Sequence, residues 1–380
     1  MSKPSLLALA GAGLAVAALA ASSGGSASGA TPHRAHVSAT SSAFLSSLHT
    51  VSTIGSTVPS NGDINPYGLA VVPTSAGSLK AGDFLISNFN AKSNNQGTGT
   101  TLVQLAPSGS LSVFATINAK TLPGACPGGV GLTTALSVLP GGYVVVGSLP
   151  TTNGMSATAQ YGCLIVLNSK GTAVETIAGN NIQGPWDMAS VTQGSTTTLF
   201  VSNVLNGGAG EGLKTIDNST VLRIRLSSAA GHAPKVQSEQ VVANDIPWRD
   251  DKAALVIGPT GVALAKNGTL YVADTLENRI IAIPNAMTRT TPLADKDITL
   301  SSGGHLKQPL GLILADNGDI LTTNASDGNI VETTPAGHQI ATVAGDAKSG
   351  AGSLFGLAIA PGGKGLLYVD DGLNTLRLLH

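Results

Sequence analysis

Beyond about residue 44 the hydrophobic residues of this chain fall in short runs of four to seven, each bounded by Gly, Asn, Asp or Pro and enriched in β-branched side chains. No stretch there keeps the 3.6-residue period of an amphipathic helix, so the pattern predicts strands almost throughout. One arrangement recurs six times: a Pro-x-Gly-like opening, an apolar run, a turn, a second apolar run, and a closing Asn or Asp. The clearest copies are Pro259 to Asp274 (PTGVALAKNGTLYVAD) and Pro309 to Asn324 (PLGLILADNGDILTTN). Pro66 to Asn88, Pro185 to Asn203 and Leu354 to Asp371 follow the same plan, and Thr133 to Ser148 (TTALSVLPGGYVVVGS) diverges most.

Aligned on the opening Gly, the copies put Gly68, Ala135, Asp187, Gly261, Gly311 and Gly356 in one register, 45 to 74 residues apart. That is the length of a four-stranded propeller blade with loops of variable size. Third and fourth strands follow as Asn278 to Ile283 and Asp297 to Leu300 after one copy, and as Asn329 to Thr334 and His338 to Val343 after the next. The last copy is one strand short, ending after Asn374 to Leu379. The missing strand is near the start, where HTVSTIG (His49 to Gly55) resembles HQIATVAG (His338 to Gly345). Pairing it with the last blade would close the ring and remove the unpaired sheet edges of an open one. The expectation is therefore an all-β six-bladed β-propeller over residues 44–380, its last blade completed by an N-terminal strand.

The copies resemble NHL repeats, best seen in PTGVALAKNGTLYVADTLENRI. The resemblance implies a fold shared with binding modules, gluconolactonase-like metal-dependent hydrolases, streptogramin lyases and peptidyl-hydroxyglycine lyases. It does not choose among them, because one propeller hosts many unrelated activities.

Residues 1–30 read as an export signal. Lys3 is followed by an unbroken Leu, Ala, Gly and Val stretch from Leu6 to Ala21, with small-x-small cleavage sites at Ala18-Leu19-Ala20 and Ser28-Gly29-Ala30. The stretch is shorter than the roughly 20 residues that cross a bilayer. Residues 31–43 read as a flexible linker. A secreted, periplasmic or cell-envelope location follows, without stable membrane insertion after cleavage. With Lys plus Arg at 20 and Asp plus Glu at 21, the net charge of −1 gives a nucleic acid nothing to attract it. In an oxidising compartment Cys126 and Cys163, one preceding the first strand of the second blade and the other starting its third, are expected to form a disulfide.

Candidate chemistry is sparse. The hairpins joining first and second strands are mostly tight, as at Lys266-Asn267-Gly268. The loops joining second and third strands, on the opposite face, are long in the first three blades: Asn88 to Gly99, Ser148 to Gly162 and Asn203 to Ser219. Long loops gathered on one face of a rigid scaffold suggest a recognition surface, here neutral and rich in amides. The second strands end at Asn88, Ser148, Asn203, Asp274, Asn324 and Asp371. This ring either bonds its own turns or, through Asn203, Asp274, Asn324 and Asp371, offers oxygen ligands to Ca²⁺. Asp187 is the best single polar candidate at the channel mouth, beside Trp186, with Tyr67 and Phe355 in the same register; core packing between blades explains the three aromatics as well. His305 alone among the histidines falls on the long-loop face away from outer strands. No Glu stands early in the first blade, where the gluconolactonase resemblance implies an acidic metal ligand, and one His does not meet the pattern of either lyase family. There is no Gly-x-Ser-x-Gly, phosphate loop or His-Glu-x-x-His motif. Trp248-Arg249-Asp250-Asp251-Lys252 reads as a solvated loop with local ion pairs. The leading functional expectation is a binding or scaffold module that meets a small molecule, glycan or protein through its long-loop face. A metal-dependent hydrolase or lyase using Asp187, and a purely structural envelope protein, stand as alternatives.

Overall fold

The opening Pro of most copies starts an inner strand, and the closing Asn or Asp faces it across the hairpin: Pro66 pairs with Asn88, Pro185 with Asn203, Pro259 with Asp274 and Pro309 with Asn324. The computed structural model describes residues 42–179, 181–206, 208, 212–227, 231–346 and 354–380. The export signal and nearly all of the linker lie outside the described residues.

Blade one is formed by Ile64–Val71, Phe84–Asn90, Thr101–Leu105 and Leu111–Thr116. Blade two is Leu132–Leu139, Tyr143–Ser148, Cys163–Leu167 and Ala173–Ile177. Blade four is Pro259–Leu264, Leu270–Asp274, Arg279–Ile283 and Thr299–Ser302, and blade five is Pro309–Leu314, Ile320–Asn324, Asn329–Thr333 and Gln339–Ala344. Each is an antiparallel meander. The helical elements among the described residues are short 3-10 turns. The molecule is a six-bladed β-propeller.

Blade six joins Leu354–Ile359, Leu366–Asp370 and Thr375–Leu379 to the N-terminal strand Val51–Ser56, as the sequence match predicts. The seam continues past the sheet, where the N–H groups of His49 and Thr50 donate to the carbonyl of His380 at 3.0 and 2.8 Å. Just upstream, the N–H groups of Phe44 and Leu45 donate to the buried Glu332 carboxylate of blade five at 2.7 and 2.8 Å. Leu45 and Leu48 then pack under blades five and six.

Blade three departs from the four-strand expectation. Gly184–Gln193, Thr196–Val204 and Ile216–Ser227 are followed by the 16-residue strand Val236–Asp251, which folds back on Leu255–Ile257 and also takes Leu293–Ala294 alongside. The charged run Trp248 to Lys252 is consequently no solvated loop. Trp248 is fully buried, with its indole N–H donating to Asn218 at 2.7 Å, and Asp250 is buried and accepts the Gly212 N–H at 3.1 Å. Strand alternation, which the high charge density masks, sends Ile246, Trp248 and Asp250 inward.

The inner strands bulge just after their opening residue, between Pro66 and Leu69, Pro309 and Leu312, and Leu354 and Leu357, for example. A bulge leaves an N–H without its ladder partner. Hydroxyls on the second strands fill that role and tie blade to blade: Ser87 accepts the Gly68 N–H at 2.9 Å and donates to Thr133 of the next blade at 2.7 Å. Thr323 does the same for Gly311 and Phe355 at 2.9 and 3.3 Å. The approach is close enough that a Cβ on Gly311 would lie 2.2 Å from the Phe355 carbonyl oxygen, and one on Gly356 2.5 Å from that of Tyr67. Glycine at these two positions is thus a packing requirement.

Candidate functional site

The three aromatics predicted to share a register meet at one end of the central channel, joined by Phe89, which the sequence reading did not single out. Tyr67 stacks on Phe355 with ring centroids 3.9 Å apart and on Phe89 at 4.4 Å, while Trp186 meets Tyr67 and Phe89 edge-on at 6.0 and 5.7 Å. All four are at most 3 % exposed. Offset and edge-on pairs add about 0.5–1.5 kcal/mol each beyond burial. Phe89 follows Asn88 directly, in the register of Leu149, Val204 and Ala325; those residues join the same apolar cluster. That shared apolar register was the available signal.

The long loops of blades one to three fold over this cluster. Gln96 donates to the Ala253 carbonyl at 3.0 Å, Thr151 to Gln96 at 2.5 Å, and Ser156 to Leu255 at 2.6 Å. Leu149, Ala159, Leu205 and Leu255 are buried beneath. These bonds tie the first two loops to each other and to the last hairpin of blade three, and the apolar residues beneath close the channel at the long-loop face. On the rim of this face, the disulfide between Cys126 and Cys163 forms as expected, with Cα atoms 5.3 Å apart.

The cavity lies at the other end. A volume of about 610 Å³ occupies the channel between the aromatic floor, where Trp186 and Phe355 border it, and the tight hairpins. Its lining side chains are mostly aliphatic, Met188, Val191, Leu264, Ile313 and Leu357 among them, with polar groups making up a comparable share of the exposed wall, and Gln193 and Lys266 stand at the rim. Among the described residues, those of the three long loops do not line it.

Asp187 brings a carboxyl into this space at the register that holds Gly or Ala in the other five blades. Its Oδ1 accepts the N–H of Met188 at 2.9 Å and its Oδ2 the N–H of Val262, across the seam with blade four, at 3.3 Å. These bonds favour the ionised form, but enclosure by apolar walls outweighs them and lifts the carboxyl to about 7. Thr134, Ser190 and Thr260 are the neutral hydroxyls along the wall.

The ring of closing residues is buried and committed to structure. Ser148 accepts the Gly131 N–H and donates to Gly129, both at 3.0 Å. Asn203 accepts the N–H groups of Gln183 and Gly184 at 2.9 and 3.0 Å. Asn324 accepts from Lys307 at 3.1 Å and donates to the His305 carbonyl at 2.7 Å, and Asn88 donates to Thr57 at 3.1 Å. Asp274 takes the Arg279 Nε at 2.8 Å and the Glu277 N–H at 3.3 Å. The sixth member is Asp370, not Asp371: Leu354 pairs with Asp370, which accepts the Leu373 N–H at 3.1 Å and Arg377 at 3.3 Å. The repeat in the sequence ends in two consecutive aspartates, and a one-residue shift in a strand turns a side chain to the other face. Asp371 instead stands beside Tyr67 at the sealed end, where burial and the neighbouring Asp370 raise its carboxyl to about 7; burial and Asp371 push the Tyr67 phenol well above its ordinary value.

As donors to Ca²⁺, Asn203, Asp274, Asn324 and Asp371 belong to four separate turns and do not make a common set. Among the described residues no three His, Cys, Asp or Glu side chains converge. His305 is exposed on the connection into blade five, outside the cavity lining.

The ring superimposes on solved propellers at low sequence identity. A gluconolactonase from Xanthomonas campestris matches with a TM-score of 0.55 and 14 % identity over 88 % of this chain and 91 % of its own. A luciferin-regenerating enzyme matches at 0.55 and 11 %, over 87 % and 95 %. The calcium-binding protein regucalcin from Agrobacterium tumefaciens matches at 0.51 and 13 %, over 86 % and 93 %. The fold is shared with these proteins. The sequence matches no protein-family profile and no curated protein.

Proposed function

We propose that the protein is a small-molecule binding module of an oxidising extracytoplasmic compartment, and that its site is the aliphatic channel rather than the long-loop face. The channel cavity carries this reading. Its volume is within the range of about 300–1,000 Å³ typical of small-ligand sites, and it has the usual make-up of apolar walls with a few polar groups. The disulfide suits a compartment in which thiols are oxidised. No helix among the described residues is long and apolar enough to cross a membrane. The structural neighbours include enzymes, but a metal-assisted hydrolysis or elimination at the channel would need several oxygen donors around one point; among the described residues Asp187 is the one carboxylate in the lining.

A neutral apolar dye tests the site. Nile red is expected to bind saturably and fluoresce, and Val191→Trp, which fills the channel from its partly exposed wall, is expected to abolish that signal while leaving the melting temperature near its original value. Undiminished dye binding by the folded Val191→Trp protein would place the apolar site elsewhere.

A further inference from the structure

Five blades keep Gly or Ala where the inner strands approach most closely, and blade three spends that position on a carboxylic acid. The neighbouring turns do not need it, since Ser202 already accepts the Asp187 N–H at 3.1 Å, as Ser87 and Thr323 do in their blades. Nor does a cation of the described residues pair with it. The charged or titratable groups bordering the cavity are Asp187 itself and Lys266, which is exposed at the rim on the hairpin of blade four. From its own strand Asp187 faces the Met188 N–H, and from blade four the Val262 N–H; blades one, two, five and six offer the cavity aliphatic side chains, backbone and the Thr134 hydroxyl. Thr134 itself donates to the Trp186 carbonyl.

Two N–H groups use one lone pair on each carboxylate oxygen and leave the others open. A buried carboxylate without a counter-charge is costly, whereas one that receives an ammonium makes a charge-assisted bond of about twice the ordinary strength. Accordingly, we propose that the channel binds a primary amine on an apolar body, the ammonium seated on Asp187 at the channel floor and the hydrocarbon against the aliphatic wall. The inference rests on the channel being a small-molecule site. It explains why the one acid is placed deep and the one base, Lys266, at the rim: a cationic head passes the exposed lysine in water and is paired only inside.

The arrangement also sets a pH dependence. The ammonium needs the carboxylate, and the free protein holds Asp187 protonated below about 7. Bound amine therefore expels a proton under acidic conditions, and its affinity falls about tenfold from pH 8 to pH 6.

Calorimetry with octylamine, octanol and octanoate, three probes sharing one hydrocarbon tail, tests this. Octylamine is expected to bind at least tenfold more tightly than octanol at pH 8, with octanoate weakest, and to lose that advantage at pH 6. Asp187→Asn should bring octylamine to the affinity of octanol. Octanol and octylamine binding alike to the unaltered protein, or a preference for the amine that survives both low pH and Asp187→Asn, would overturn the assignment while leaving the apolar site standing. If none of the three binds, the channel reading falls with it.

Discussion

The two ends of the central channel are made by the same six strands, yet one is closed and the other open. At the closed end the inner strands carry Tyr67, Trp186 and Phe355, the second strands add Phe89 and Leu149, and loops from three blades cross-brace the whole. At the open end most strands leave in tight hairpins with no reach over the axis, and the longer connection of blade one, residues 72–83, does not line the space between them. Loop length is therefore a poor guide to which end binds. Long loops on a ring either recognise something outside or fill the hole, and here Leu149, Ala159 and Leu205 turn inward while Met155, Tyr161 and Leu213 stay exposed. Each end also holds one carboxyl lifted to about 7, Asp371 at the closed end and Asp187 at the open one. Only Asp187 borders a volume that a second molecule can occupy.

The largest effect should come from breaking the closed end. Trp186→Ala removes the largest side chain of the plug, and by the usual cost of such truncations the protein should lose about 3–5 kcal/mol in denaturant titration. A loss below about 1 kcal/mol would mean the aromatic stack does not hold the ring.

Next is the disulfide, which ties the connection into blade two to that blade's third strand on the same face. Its sequence separation is 37 residues. The double variant Cys126→Ser, Cys163→Ser should lower stability by about 3–4 kcal/mol in the chain-entropy description. The same loss should follow reduction of the unaltered protein, with the dye site at the open end still present in the folded fraction.

A further test concerns the two carboxyls. Both have folded values near 7, above the roughly 3.9 of an unfolded Asp. The folded protein therefore holds more protons than the unfolded one between those values. The associated stability is full below about pH 4 and is lost as pH rises through about 7. The melting temperature should decline from pH 5 to pH 8, and Asp187→Asn combined with Asp371→Asn should flatten that slope. A slope unchanged in the double variant would assign it to other groups.

Much of the ring was legible in the sequence because its physics is local and repeated. The Pro-to-Asn pairing, the tight Asn-Gly hairpins and the match between HTVSTIG and HQIATVAG each report a strand and its neighbour. The disulfide was readable for the same reason. The candidate site was only half legible. The aromatics and Asp187 were found by register, but whether Tyr67 and Trp186 rim a pocket or seal it depends also on Leu205 and Leu255, which stand outside the repeated blade pattern. Asp371 was misread by one position because two aspartates stand at the strand end, and only pairing with Leu354 decides between them. Trp248 was hidden by the charges that follow it, although those charges sit on a strand that dips into the core.

The clasp formed by Val51–Ser56 has a bearing on how the molecule is made. Its partner Thr375–Leu379 lies in the last of the described blades, so Val51–Ser56 stays unmatched until that strand has been made. For that interval the nascent chain is an arc with bare backbone at both tips, a shape that invites a second arc to complete it. The bonds from His49 and Thr50 to His380, together with the Glu332 anchor, are what favour the chain's own head over a stranger's.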